Sequence, residues 1–149
     1  MHGATRRSSS KDHFIIPFKG FSMYPFLRPG DLLVMRAPSS HAFKVGDVIL
    51  FESGQPGDFE DLIAHRVVRI RPNGRILTKG DNLLRPDPEL EDWGRILGQV
   101  VSVLRRDRMI PLTKGPLGFA AKWIALLSKK NVTPGILAAK MKGLTGKNR

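Results

Sequence analysis

Short apolar, β-branched runs alternate with turns rich in Gly, Pro and Asp from Phe14 to about Leu112. Runs of this length, broken at such regular intervals, are typical of strands and not of helices. Asn73-Gly74, between two of the runs, predicts a tight hairpin. The pattern therefore predicts a mainly β domain. Its candidate strands are Phe14–Phe18, Leu32–Arg36, Val48–Glu52, Ala64–Arg71, Arg75–Thr78, Ile96–Arg105 and Met109–Leu112.

The pattern changes after Lys114. Pro116 and Pro134 each stand where the first turn of a helix would begin, and Thr133 is a suitable N-cap for the second. We therefore expect short helices over 117–129 and 136–142. The resulting division is a flexible leader at 1–12, a β-domain at 13–113 and a basic helical C-terminal extension at 114–149.

The positive charge is concentrated in this extension. Of the net charge of +12, residues 105–149 supply 11 Lys and Arg against one acid, whereas the preceding residues hold 14 basic and 12 acidic side chains. A basic tail on a nearly neutral body predicts an anionic partner for the tail. An anionic membrane surface is a candidate partner for 115–149, and the alternative is a helix packed on the body of the domain. Nucleic acid is disfavoured because the tail shows no clear helix-turn-helix pattern.

Two kinds of segment are absent from the sequence pattern. No run approaches the roughly 20 apolar residues that a spanning helix needs. Residues 1–12 are polar and are not followed by the apolar core of a signal peptide. We therefore expect a cytoplasmic or peripheral-membrane location. The lack of cysteine excludes disulfides and thiolate metal sites.

Ser22 and His65 are the candidate nucleophile and base. A serine hydroxyl is a weak nucleophile unless a neighbouring group removes its proton, and a free imidazole, titrating near pH 6.5, is suited to that task. Each residue also has an ordinary structural interpretation, Ser22 in a glycine-rich turn and His65 on a half-buried strand face. Period-2 alternation places the His65 side chain opposite that of Arg66.

Asp81 and Asp87 are the candidates for a third group, which would hold the imidazole tautomer and stabilise the imidazolium. The alternative for Asp81 is a local role in the tight turn Gly80-Asp81-Asn82. The scattered carboxylates and one useful histidine predict no metal site, and no glycine loop predicts a bound nucleotide. We expect no cofactor.

Four short motifs, in this order, resemble those of the signal peptidase I superfamily, which also contains the self-cleaving SOS-type and phage repressors. They are Gly20–Pro25 with Arg28–Asp31, Val45–Phe51, Ala64–Val67 and Leu77–Asn82. The resemblance implies a partly open β-barrel or sandwich of short strands with short C-terminal helices.

The histidine at position 65 selects a branch of that superfamily. Bacterial signal peptidases and repressors carry lysine there, whereas endoplasmic-reticulum, archaeal and sporulation-type enzymes carry histidine. The resemblance then implies that Ser22 attacks, that His65 is the base, and that Asp87 completes the set with Asp81 as a supporting acid. It also implies oxyanion or substrate-binding roles for Gly20 and Met23.

The leading hypothesis is a serine endopeptidase that cleaves an extended peptide or precursor protein, with small residues such as alanine before the cut. Members that act on preproteins usually carry a spanning helix, so a membrane-anchored partner protein would supply the anchor here. The alternatives are a repressor-like self-cleaving regulatory domain and a non-catalytic peptide-binding member of the same fold.

Overall fold

The structure is a computed structural model that describes residues 13–38, 43–54 and 62–114, together with residues 118, 120, 121 and 123–126 of a helical stretch. The predicted leader 1–12 lies outside the described residues. So do most of the predicted extension 114–149 and the whole of its second predicted helix, 136–142.

The described chain is mainly β, as the alternating pattern predicts. All seven predicted strands are present, and their ends differ from the predicted ones by at most two residues. They are β1 (His13–Pro17), β2 (Leu32–Arg36), β3 (Val48–Glu52), β4 (Leu62–Ile70), β5 (Ile76–Lys79), β6 (Ile96–Arg105) and β7 (Arg108–Pro111). A short 3-10 helix, Trp93–Arg95, precedes β6.

The strands form one antiparallel sheet in the order β1-β2-β6-β3-β4-β5. The long strand β6 pairs with β2, and it also pairs first with β3 and then with β7. Within the described residues this sheet is not closed into a barrel. β1 and β5 are its two ends.

The predicted hairpin at Asn73-Gly74 joins β4 to β5. Gly74 donates its N–H to the Arg71 carbonyl at 2.9 Å and has a φ of 83°, a left-handed conformation that glycine adopts without a steric penalty. Ile70 of β4 lies opposite Ile76 of β5 beside this turn, and beyond a shift of register between Val67 and Arg69, Arg66 lies opposite Lys79. The prediction of a hairpin is confirmed.

Strand β3 is buried along its whole length and divides the core into two clusters. Val48 and Leu50 belong to the first cluster, and Ile49 and Phe51 to the second, as expected for side chains that alternate across a sheet. The first cluster contains Phe18, Met23, Leu27, Leu33, Met35, Val48, Leu50, Ala64, Val100, Val103 and Leu112. The second contains Phe43, Ile49, Phe51, Val67, Ile76, Leu90 and Ile96.

The described positions of the first predicted C-terminal helix are helical. Ala121 and Ala125 are buried, one helical turn apart, whereas Trp123 and Leu126 are exposed. No helix within the described ranges is both long and apolar enough to cross a bilayer.

Candidate active site

Ser22 lies in a tight loop between β1 and β2. Met23 and Leu27 are fully buried in the first core cluster, and the Leu27 N–H donates to the Met23 carbonyl at 2.9 Å. These two anchors fix the loop, while Phe21 on the other side of Ser22 is exposed. Ser22 itself is half-buried. The loop thus holds the serine at the edge of the core.

The turn Gly80-Asp81-Asn82 is hydrogen-bonded to this loop. The Asn82 N–H donates to the Ser22 carbonyl at 2.7 Å, and its side-chain amide donates to the Phe21 carbonyl at 3.3 Å. A Cβ at Gly80 would lie 2.7 Å from the Ser22 carbonyl oxygen, closer than such atoms approach. A glycine is therefore required at position 80 for the backbones to meet.

The His65 imidazole on β4 is held by a carboxylate. Its Nδ1 lies 2.6 Å from Asp87 Oδ2, and the two side chains are 5% and 15% exposed. An ionised carboxylate only accepts hydrogen bonds, so this contact favours the tautomer with the proton on Nδ1 and the lone pair on Nε2. The Phe51 ring contacts the imidazole edge-on, with centroids 6.4 Å apart. A neutral imidazole in that tautomer can accept a proton through Nε2.

Ser22 and His65 line the same groove, whose volume is about 760 Å³. Its walls are mostly apolar, and Lys19 is the one permanently charged side chain among the lining residues in the described chain. The apolar lining comes mainly from β1 to β4 and consists of Ile16, Pro17, Phe18, Leu33, Leu50, Leu62, Ile63, Ala64 and Leu83. An extended peptide with apolar side chains is the kind of ligand that fits such a surface.

Comparisons with protein-family models, with curated proteins and with solved structures found no match.

Asp81 is paired with the arginine that follows His65. Both of its carboxylate oxygens accept from Arg66, at 2.8 Å from Nε and 2.7 Å from Nη2, and the described hydrogen bonds include none between Asp81 and His65. Both side chains are fully buried. Asp81 therefore links its own turn, through Arg66, to the strand that carries His65.

Arg66 is a functional candidate that the sequence did not single out. Besides Asp81, its Nη1 donates to the Gly46 carbonyl at 2.8 Å, and its guanidinium lies 4.3 Å from the centre of the Phe26 ring. It therefore connects strand β4 to three loops, those that carry Asp81, Gly46 and Phe26. Two features of the sequence could have indicated it. Arg66 directly follows His65, and the Gly80-Asp81-Asn82 motif contains an aspartate that could pair with it.

Gly20 and Met23 differ in how they face the groove. Gly20 is exposed and lines it, so its backbone is available to a bound peptide. The Met23 side chain is fully buried, and its sulfur accepts the Asp81 N–H at 3.4 Å. Met23 can therefore contact a substrate only through its backbone, and its side chain anchors the loop.

Lys79 is a buried charged residue without a partner. It is 1% exposed, and its Nζ has no hydrogen-bond partner within the part of the chain that the structure describes. Burial lowers the pKa of Lys79 below its ordinary value of 10.5, although the nearby Asp81 carboxylate opposes this.

No three His, Asp or Glu side chains in the described ranges are grouped so that they could hold a metal ion.

Proposed function

We propose that the protein is a serine endopeptidase of signal-peptidase-like type, in which Ser22 is the nucleophile, His65 the general base and Asp87 the group that orients the base. The observation that carries this proposal is the 2.6 Å contact from His65 Nδ1 to Asp87, with His65 and Ser22 on one groove. The order of the four sequence motifs supports it independently.

The chemistry follows from the tautomer of His65. Nε2 removes the proton of the Ser22 hydroxyl as Oγ attacks the carbonyl carbon of the peptide bond. The imidazolium that forms is stabilised by Asp87 and then protonates the leaving amine, so the peptide C–N bond breaks and an acyl-serine remains. Water activated by the same imidazole hydrolyses this ester and regenerates Ser22.

The negative oxygen of the tetrahedral intermediate needs hydrogen-bond donors. The Ser22 backbone N–H is the donor nearest to the reacting atom by position in the chain, and Gly20 presents no side chain that would cover it. The Asn82 side-chain amide donates to the Phe21 carbonyl at 3.3 Å, which supports this assignment because that carbonyl shares a peptide plane with the Ser22 N–H. Loss of one such donor typically lowers the rate about 10²–10³-fold.

The groove suggests the form of the substrate. Strand β1 ends the described sheet, and Ile16 and Pro17 of this strand line the groove. A peptide in extended conformation adds readily to such an edge by backbone hydrogen bonds. The apolar walls and the resemblance to signal peptidases favour apolar peptides with small residues, such as alanine, before the cut. We also propose that the sheet is a partly open barrel or sandwich of the signal peptidase kind.

We also propose that the C-terminal helical stretch contacts an anionic membrane. Trp123 and Leu126 are 58% and 50% exposed, and apolar side chains beside lysines are typical of helices that lie in a membrane interface. We expect flotation with phosphatidylglycerol vesicles, and weaker flotation after Trp123→Ser with Leu126→Ser. Equal flotation of both proteins would contradict this part of the proposal.

The peptidase proposal is tested by incubating the protein with a mixture of apolar peptides of diverse sequence and identifying the products by mass spectrometry. We expect shared cleavage sites for the wild type, and a loss of at least about 10³-fold in Ser22→Ala. Ser102→Ala, a serine on β6 that does not line the groove, is the matched control and should retain activity. Identical products from wild type and Ser22→Ala would refute the proposal. Binding of peptides without any cleavage would favour the non-catalytic alternative.

A further inference from the structure

Thr78, on β5, is bonded to the carboxylate that holds His65. Its hydroxyl Oγ1 donates to Asp87 Oδ2 at 2.7 Å, the same oxygen that lies 2.6 Å from His65 Nδ1. The Thr78 side chain is fully buried, and that of Asp87 is 15% exposed. One carboxylate oxygen therefore accepts from both donors.

The backbone adds a second connection between the same two residues. The Asp87 N–H donates to the Thr78 carbonyl at 2.9 Å. Further along, Ile76 and Leu90 exchange backbone hydrogen bonds of 3.1 and 2.8 Å. The loop that carries Asp87 is thus held along β5, and Thr78 fixes both the backbone and the carboxylate of Asp87.

We propose that Thr78 is a positioning residue, which holds the Asp87 carboxylate in the orientation that accepts from His65 Nδ1. The inference rests on the proposed function of Ser22 and His65. A carboxylate can rotate about its bond to Cβ, and a contact with one donor leaves that rotation open. A second donor on the same oxygen removes this freedom before a substrate binds, which is the form of preorganisation that catalysis rewards.

The hydroxyl has an electronic effect as well. A hydrogen bond from Thr78 draws negative charge from the oxygen that faces the imidazole. Without it, that oxygen would accept from His65 Nδ1 alone, and the environment of the Nδ1 proton would change. Loss of orientation would lower kcat and leave KM nearly unchanged. A purely structural role for Thr78 would change neither quantity in a properly folded variant.

The test compares Thr78→Val, which keeps the shape and removes the donor, with Thr78→Ser, which keeps the donor. Thr113→Val is the control, since this exposed threonine does not line the groove. We expect Thr78→Val to lower kcat about 10-fold with little change in KM, as for loss of one hydrogen bond to a charged group. Thr78→Ser should retain most of the activity.

A second measurement does not depend on activity. The proton on His65 Nδ1 is observed by NMR, assigned by its loss in His65→Gln, and compared across the variants. We expect its resonance to move in Thr78→Val and to be preserved in Thr78→Ser. An unchanged resonance in Thr78→Val would overturn the inference about Thr78, whether or not peptides are cleaved. If the resonance moves but the wild type cleaves no peptide, the positioning role stands and the peptidase proposal fails.

Discussion

Replacing Asp81 by asparagine tests its ion pair with Arg66, which joins strand β4 to the turn that is hydrogen-bonded to the Ser22 loop. Asp81→Asn removes the negative charge but keeps the shape of the side chain. Arg66, fully buried, then retains the Gly46 carbonyl at 2.8 Å and the Phe26 ring, and it loses its counter-charge. The variant therefore leaves an uncompensated cation in the core.

The size of the effect follows from the burial of both partners. The native pair has two charge-assisted hydrogen bonds, of 2.7 and 2.8 Å, and neither side chain is exposed. Removing one member of such a pair typically costs about 3–5 kcal/mol. Small domains are stable by about 5–15 kcal/mol in total, so the loss would be a large fraction of the stability of this one.

The assay is urea denaturation followed by tryptophan fluorescence and circular dichroism. The matched control is Glu89→Gln, because Glu89 accepts from Arg71 at the same 2.8 Å but in a pair that is 43% and 25% exposed. Exposed pairs contribute about 0–1 kcal/mol, so the control should unfold close to the wild type. The double variant Arg66→Met with Asp81→Leu should recover part of the loss, since it removes the unpaired charge. A loss in Asp81→Asn no larger than in Glu89→Gln would refute the reasoning.

Three further variants test other parts of the structure. Lys79→Met should raise the free energy of unfolding by about 1–3 kcal/mol at neutral pH, because it removes a buried amine that has no hydrogen-bond partner among the described residues. Because the folded-state pKa of Lys79 is lowered, the free energy of unfolding of the wild type should rise as the pH increases towards 10.5. The difference in this free energy between Lys79→Met and the wild type should therefore shrink in denaturation series at increasing pH. Burial disfavours ionisation of Asp31, but hydrogen bonds from Arg105 outweigh this and hold the pKa of Asp31 below 3.8. Asp31→Asn should therefore lower the melting temperature at pH 7, and the difference from wild type should vanish as the pH falls through the folded-state pKa. Gly80→Ala should lower stability by about 1–3 kcal/mol, measured by thermal unfolding, because its Cβ would meet the Ser22 carbonyl at 2.7 Å.

The strands could be predicted from sequence because side chains alternate along them and turn residues punctuate them. β2, β3 and β6 have the predicted bounds, and β6 pairs with three strands, β2, β3 and β7. The β6–β7 hairpin was not signalled in this way. Its turn residues Arg106 and Asp107 have φ of 46° and 63°, in a region where glycine or asparagine would be expected.

The site was only partly predictable. His65 and Asp87 were both named, and they are in contact across 22 residues of sequence. The partner of Asp81 was not named, since hydrogen-bond partners on different elements depend on strand register, which the sequence pattern does not specify. Thr78 was also missed. The sequence did not single it out because a threonine in a strand is explained by its β-branched shape alone.

The most direct test of the peptidase assignment is capture of the acyl-serine. A p-nitrophenyl ester of an alanine-containing peptide is mixed with the protein, nitrophenol release is followed, and the product is analysed by intact mass and peptide mapping. The account predicts a burst of about one nitrophenol per active site and an acyl group mapped to Ser22, both absent from Ser22→Ala and greatly reduced in His65→Gln. No burst from the folded wild type, or an acyl group mapped to residues other than Ser22, would contradict the assignment of Ser22 as the nucleophile.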